Sequence, residues 1–547
     1  MKLRIAKATP SGLLRPLMLA AWLLLATSSV TAGEPLWASH CERWSSFEPG
    51  IWESLLFWQE TGISDELMGQ AIEKLGTEPG RMKRVGVPVA FVNGSMYVAR
   101  STPLSKTYAW WAHNLLVWVH VLRRLAARWG AALPDTELLL GADDDPTQDM
   151  SAPGAWQAAT SPPLPVMKHC KSSASADIPI PTWHFYTLNA TAQFFSRTHR
   201  FSEEHPWAAR EHKAYGGGML YHRSQAMPVN KKQLEAGMVA GEPFMVREKF
   251  AEFLNKEVRN PNIVFDNGRP LPLWAEYKMA IHIDGISCSS KLWQLMALGN
   301  LVLREQSSYL SFYDSQLHSF EHYVPFWRHR PREIVWAYDW ATRHDAAAAR
   351  IAARGQAFVR DTLSSQGLEC YWLLLLQQYS GLLKYKPGQG ARRIPAPVPA
   401  AAVAANATTA AAGVVAAAGQ GGRRRSSRSR RLMQGGGVEG VREEAHSRGG
   451  GSVEAESARR QPARRRLQQA QQGSVPGSGG AGDAGAFYIP VDEWLALQEG
   501  AHGWRPGLAA SLGAELELLP LLPMRAMVVR AGQELAAAAN ATALRQP

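Results

Sequence analysis

The stretch from Tyr277 to Arg304 limits the fold of this chain more than any other. Tyr277–Ile283 is apolar and reads as a strand. Asp284–Ser290 is a loop of small residues, Lys291–Leu298 is an apolar helix, and Gly299-Asn300 is a helix stop. Leu301–Arg304 is the next strand. Strand, helix and strand in so few residues form a βαβ unit, which commits this part of the chain to a parallel sheet.

The remaining patterns extend an α/β reading. Trp44, Phe47, Trp52, Leu55, Leu56 and Trp58 line one helical face, and Ser64 or Asp65 caps the helix that follows. Val87–Val92 and Met96–Ala99 flank Asn93-Gly94, the signature of a two-residue hairpin. Tyr108–Trp129 predicts a long amphipathic helix. Thr136–Gly141 predicts a short buried strand running into Ala142-Asp143-Asp144-Asp145-Pro146, where proline ends regular structure. Further helices are expected at His344–Leu363 and Cys370–Tyr385.

After Pro387 the character changes. Residues 391–485 hold 15 Arg and 6 acidic residues, a net of +9 in a chain whose total is +12. The basic balance therefore belongs to this segment and is no reason to read the rest as a nucleic-acid binder. Residues 388–485 are expected to be a disordered Ala/Gly/Arg linker, because such composition buries too little apolar surface to offset chain entropy. Residues 486–547 read as a helical tail without an assigned role. Residues 1–32 read as a secretory signal, with a retained signal anchor as the alternative; a membrane partner is expected only in that case. In an oxidising lumen Cys41, Cys170, Cys288 and Cys370 allow three pairings.

Two strand ends draw attention as chemistry. The acids Asp143, Asp144 and Asp145 hold a candidate general base, although a solvated Asp-Pro turn accounts for the same residues. The loop Ile286-Ser287-Cys288-Ser289-Ser290-Lys291 opens a helix, and unpaired N–H groups, hydroxyls and an ammonium there suit an anion; ordinary capping by Ser289 or Ser290 is the plainer account. Tyr215-Gly216-Gly217-Gly218 and the following Arg223 suggest a second phosphate-facing turn. Trp183, Phe185 and Tyr186 suit either a sugar face or core packing. His318 and His322 are spaced to share a metal on a helix, but no third ligand accompanies them, so no metal is assigned.

The stretch from Glu276 to Pro387 resembles glycosyltransferase family 90, which includes the Rumi-type protein O-glucosyltransferases and fungal capsule-associated xylosyltransferases. The resemblance is carried by YKMAIHIDGISCSSKLWQLMALGNLVL, SYLSFYDSQLHSFEHYVPF, AARGQAFVRDTL and CYWLLLLQQYSGLLKYKP. Fainter collinear pieces reach back to Cys41-Glu-Arg-Trp, and those opening pieces look like the plant and algal branch. The resemblance implies a GT-B-like fold of two Rossmann-type lobes around a cleft, here 33–198 on the acceptor side and 199–387 on the nucleotide-sugar side. It implies inverting transfer of glucose or xylose from a UDP-sugar to a hydroxyl of a protein or glycan, without metal or other cofactor, in the secretory lumen of the ER or Golgi.

By position Asp144 falls on the family's base. Ile286, Ser287, Cys288, Ser289, Ser290 and Lys291 fall on its nucleotide-sugar loop, with Tyr215 and Arg223 beside it. Cys41 pairs with Cys370 by the same resemblance, while the pairing of Cys170 and Cys288 stays open. Two departures stand out. Lys291 replaces an arginine, keeping charge without the bidentate fork. Gly216-Gly217-Gly218 replaces Phe-Arg-Gly, so an arginine is missing. A catalytically degenerate member, acting as a glycan- or partner-binding scaffold, is the alternative.

Overall fold

Two main sheets organise the chain. The computed structural model describes residues 37–76, 86–100, 104, 109–144, 163–172, 175–187, 192–220, 223, 245–266, 268–394 and 486–502. The first sheet contains β1 (Gly86–Val92), β2 (Ser95–Ala99), β3 (Thr136–Gly141), β4 (Val166–Lys168), β6 (Ile178–Pro179) and β13 (Tyr488–Pro490), in the order β13-β2-β1-β3-β4-β6. β3, β4 and β6 run parallel and the rest pair antiparallel. The second sheet is wholly parallel. It contains β7 (Glu211–Gly216), β8 (Ile263–Phe265), β9 (Tyr277–His282), β10 (Leu301–Glu305) and β12 (Val324–Phe326), in the order β12-β10-β9-β7-β8. A small antiparallel pair, β5 (Lys171–Ser172) with β11 (Tyr309–Leu310), joins the segment after β4 to the segment after β10.

The local expectations explain these elements. Every residue of β3 and β9 is buried, as near-continuous apolar strands covered on both faces should be. The βαβ unit forms as read, with its helix at Lys291–Ala297. Asn93 and Gly94 take φ of 49° and 74°, the left-handed pair that a type I′ hairpin needs. A Cβ on Gly94 would also lie 2.9 Å from the Gly130 carbonyl, so the turn packs against the end of the helix Ala109–Trp129. Ser64 caps the helix Asp65–Gly76, its Oγ accepting from Leu67 N at 3.1 Å.

The core is aromatic. Trp58, Trp118, Trp293, Trp372 and Trp494 are essentially fully buried. The helix Ser365–Ser380 crosses this core and is bonded to the N-terminal segment through Cys41–Cys370, the expected disulfide. Cys170–Cys288 is the second disulfide.

Two expectations need correction at the C-terminal side. The ordered fold extends past Pro387 to Ile394, because Arg392 buries its guanidinium against Glu137 (Nε to Oε1 2.8 Å). The tail also supplies a strand as well as the helix Val491–His502. β13 adds to the edge of β2, and Tyr488 donates both to Glu137 and, through its backbone N–H, to Arg393 O at 3.3 Å. The expected signal (1–32) and most of the expected linker (395–485) lie outside the described residues. Among the described residues no helix is long and apolar enough to cross a membrane. Residues 37–394 and 487–502 fall in one compact unit.

Candidate active site

The strand order of the second sheet points to one edge. In chain order its five strands run second, first, third, fourth, fifth across the sheet, so the direction of winding reverses between β7 and β9. Connections leave such a point on opposite faces, and the crevice at the carboxyl ends is where doubly wound sheets bind ligands. Here that crevice is bordered by Gly216 at the end of β7 with Gly217-Gly218 beyond it, and by Ile283–Ser290 after β9. Lys291 Nζ spans it, donating to Gly217 O at 2.7 Å over the ring of Trp274. Burial, and then the nearby Arg247 guanidinium, push the Lys291 ammonium down to about 8.

Asp284 shapes the loop from inside. Its Oδ1 accepts from Ser289 N at 2.8 Å and its Oδ2 from Ser307 Oγ at 2.5 Å. Burial alone would raise this carboxyl; His282, Arg304 and the Ser307 hydroxyl hold it below the ordinary range. Tyr309 fixes the next turn by donating to Ile286 O at 2.7 Å. Ser287 is buried, and its Oγ has no hydrogen-bond partner among the described residues. Ser289 Oγ accepts a long bond from Lys291 N at 3.4 Å, whereas Ser290 at the N-cap makes no capping bond. Cys288 is taken up in the disulfide with Cys170.

Two expected site residues sit elsewhere. Arg223 is not free to meet an anion: it is 2% exposed and pairs bidentately with Glu305, at 2.7 and 2.8 Å. Burial would lower this guanidinium, but Glu305 holds it well above its usual value. The pair braces the loop from below, since Arg223 also donates to Asp284 O and Glu305 accepts from Asp284 N. Tyr215 is a core residue, stacked on Tyr277 with its hydroxyl bonded to Asp266; only its backbone, near the end of β7, borders the crevice.

The acidic strand end is built by register. β3 and β4 run parallel, with Leu140 beside Met167, and the acids that follow β3 meet side chains at and just after the end of β4. Asp143 Oδ1 lies 2.9 Å from Lys168 Nζ, both nearly inaccessible. Asp144 Oδ1 lies 3.4 Å from His169 Nε2, and the Asp144 side chain keeps 21% exposure. Asp145 lies outside the described residues. His169 packs edge-on against Trp183. Beside it, burial and His169 push His184 down to about 4, so that imidazole is neutral near pH 7. Trp183, Phe185 and Tyr186 are packing residues: Phe185 stacks on Trp293 at 4.4 Å and the Tyr186 hydroxyl accepts from Trp372.

Covalent and backbone links bring the two strand ends together. Cys170 follows His169 and is bonded to Cys288 in the loop that carries Lys291. β5, directly after Cys170, pairs with β11, which follows β10. His318 and His322, by contrast, form a hydrogen-bonded turn off any helix, His318 N donating to His322 Nδ1 at 3.0 Å.

Residues 38–409 match the model of glycosyl transferase family 90. The chain belongs to that family. Among curated relatives, rat protein O-glucosyltransferase 3 is 27% identical over 284 residues, covering 50% of this chain and 52% of the rat protein. Human protein O-glucosyltransferase 1 is 24% identical over 46% of this chain and 64% of its own length. The O-glucosyltransferase rumi of Drosophila melanogaster is 23% identical over 47% and 62%. The chain thus matches about half to two thirds of the length of these relatives. A solved structure of Anabaena Alr3699/HepE in complex with UDP-glucose aligns at 13% identity and a TM-score of 0.25, over 48% of this chain and 76% of that one.

In this family 90 chain a further arginine, which the sequence did not single out, lies at the Gly216-Gly217-Gly218 loop. Arg247 comes from the helix Val246–Phe253 and donates to Ile283 O at 2.9 Å and to Met219 O at 3.0 Å. A Cβ on Gly218 would lie 2.6 Å from its Nη1, so glycine there lets the guanidinium cross the loop. No local pattern marks Arg247, because the contact is made across residues distant in the chain.

Proposed function

We propose that this chain is an inverting, metal-independent glycosyltransferase with a GT-B-like arrangement. On this reading it moves glucose or xylose from a UDP-sugar to a hydroxyl of a protein or glycan in the ER or Golgi lumen. One observation carries the reading: a partly exposed carboxylate after β3 and a cationic switch-point loop after β9 are tied together through Cys170–Cys288. Family membership and relatives named as O-glucosyltransferases support it.

Asp144 is the base. It takes the acceptor's proton as the new C–O bond forms at the anomeric carbon, when that hydroxyl has become acidic. The bond to UDP breaks on the opposite face, and the leaving phosphate carries away the electron pair. Lys291 and Arg247 meet that charge, with the Ser287, Ser289 and Ser290 hydroxyls and the loop N–H groups around it. Asp143 is excluded from the role by its closed pair with Lys168. The buried Ser287 hydroxyl is the kind of unpaired donor that a bound phosphate satisfies.

The test is UDP release from UDP-glucose and UDP-xylose by secreted protein, with EDTA present, for wild type and Asp144→Asn. Release that survives EDTA and falls by about 10²–10⁴ in the variant is expected. Near-normal release by Asp144→Asn overturns the assignment of the base. No release with no UDP binding leaves the degenerate scaffold as the better reading.

A further inference from the structure

Asp143 and Asp144 are chemically identical neighbours with different partners. Asp143 faces an ammonium and Asp144 faces an imidazole, at 2.9 and 3.4 Å. The Lys168 ammonium closes Asp143 into a buried pair, whereas an imidazole N–H can orient a carboxylate that stays partly exposed. The His169 ring is well placed to orient. It is 5% exposed, and Trp183 packs against it with centroids 4.6 Å apart. Its backbone is held between β4 and the Cys170–Cys288 bridge.

The tautomer follows from hydrogen-bond accounting. His169 Nδ1 is buried and has no partner among the described residues. A proton on Nδ1 would strand a buried N–H, while a proton on Nε2 leaves only a lone pair there and gives Asp144 a donor. The 3.4 Å separation suits a bond that tightens when substrate closes the site.

We propose that His169 is the positioning residue for Asp144: its Nε2–H donates to Oδ1 and turns Oδ2 toward the acceptor hydroxyl. This rests on the reading of Asp144 as the base. A base held off its line by an ångström can lose on the order of 10²-fold in rate while the donor binds as before.

The test compares wild type, Asp144→Asn, His169→Gln, His169→Phe and the double variant Asp144→Asn/His169→Phe. Each is assayed for UDP release, KM for the UDP-sugar and thermal melting. Phe preserves the packing against Trp183 but has no donor; Gln places an amide N–H near Nε2. Phe is expected to lower kcat roughly 10²-fold with donor KM unchanged, Gln to restore most of it, and the double variant to match Asp144→Asn alone. Should the Phe variant not be secreted, His169→Leu takes its place. Wild-type kcat in the Phe variant, equal losses for Gln and Phe, or losses that add in the double variant each overturn the inference. A normal Asp144→Asn enzyme overturns the base assignment and this inference with it. A crippled Asp144→Asn beside an unaffected His169→Phe overturns this inference alone.

Discussion

Lys291 shows how one buried side chain sets a condition on function. Its ammonium is brought down to about 8 by burial and Arg247, so the cation is present below that pH and lost above it. On the proposed mechanism kcat/KM for the UDP-sugar, which reports the free enzyme, should fall as pH rises through about 8. Lys291→Arg should flatten that basic limb, since guanidinium stays charged, and a pH profile of both proteins checks it. Arg223 calls for the opposite expectation. Removing one partner of a buried ion pair costs about 3–5 kcal/mol. Arg223→Ala should therefore lower the melting temperature, with UDP affinity of the folded fraction changing less than in Arg247→Ala. Thermal melts with UDP titration separate the two. The sequence marked both as anion-facing cations, Lys291 in the serine loop that opens a helix and Arg223 after the glycine turn. Glu305, which closes off Arg223, lies on β10 and could not be foreseen from the neighbours of either residue.

At the scale of elements, β13 is the clearest departure from the sequence reading. Three residues near the far end of the chain pair with the edge of β2, covering a strand that would otherwise offer unpaired N–H and C=O groups. The Tyr488 hydroxyl joins Tyr385 and Arg392 on the buried Glu137 carboxylate. Deleting 486–502 should expose the edge of β2 and leave Glu137 short of a donor, lowering the melting temperature and the secreted yield. Arg393 and Tyr488 are hydrogen-bonded neighbours, so the connection between them needs little length. Replacing 395–485 with a loop of about six residues should leave the melting temperature nearly unchanged, and a melt of each truncation decides it. Strands β3 and β9 and the Asn93-Gly94 hairpin were legible because each is written in consecutive residues. β13 was not: its short run of Tyr, Ile and Pro carries no periodicity, and its meaning comes from the strand it meets.

At the scale of the molecule, the two disulfides have different reaches. Cys41–Cys370 ties the N-terminal segment to the helix that crosses the core, over a sequence separation of 329 residues. Its loss should cost stability, by about 2–5 kcal/mol as for other long-loop bridges, read as a lowered melting temperature. Cys170–Cys288 joins the carboxyl ends that carry Asp144's partner and Lys291. Replacing both of its cysteines with Ser should reduce turnover more than UDP affinity, because β7, β9, Lys291 and Arg247 stay together while the acidic strand end is released. Steady-state kinetics beside UDP titration measures that split.

The sequence by itself determined the parallel βαβ unit, the strand that ends in the acidic run, the hairpin, and through its motifs the family. These are encoded in spacing and turn chemistry within a few consecutive residues, where backbone sterics and burial act locally. Only the tertiary structure decided which aspartate stays reachable, which arginine crosses the glycine loop and which is locked away, and where the end of the chain returns. Each of those depends on a partner brought alongside by sheet order and register, and neither sheet order nor register is a property of a local stretch of chain.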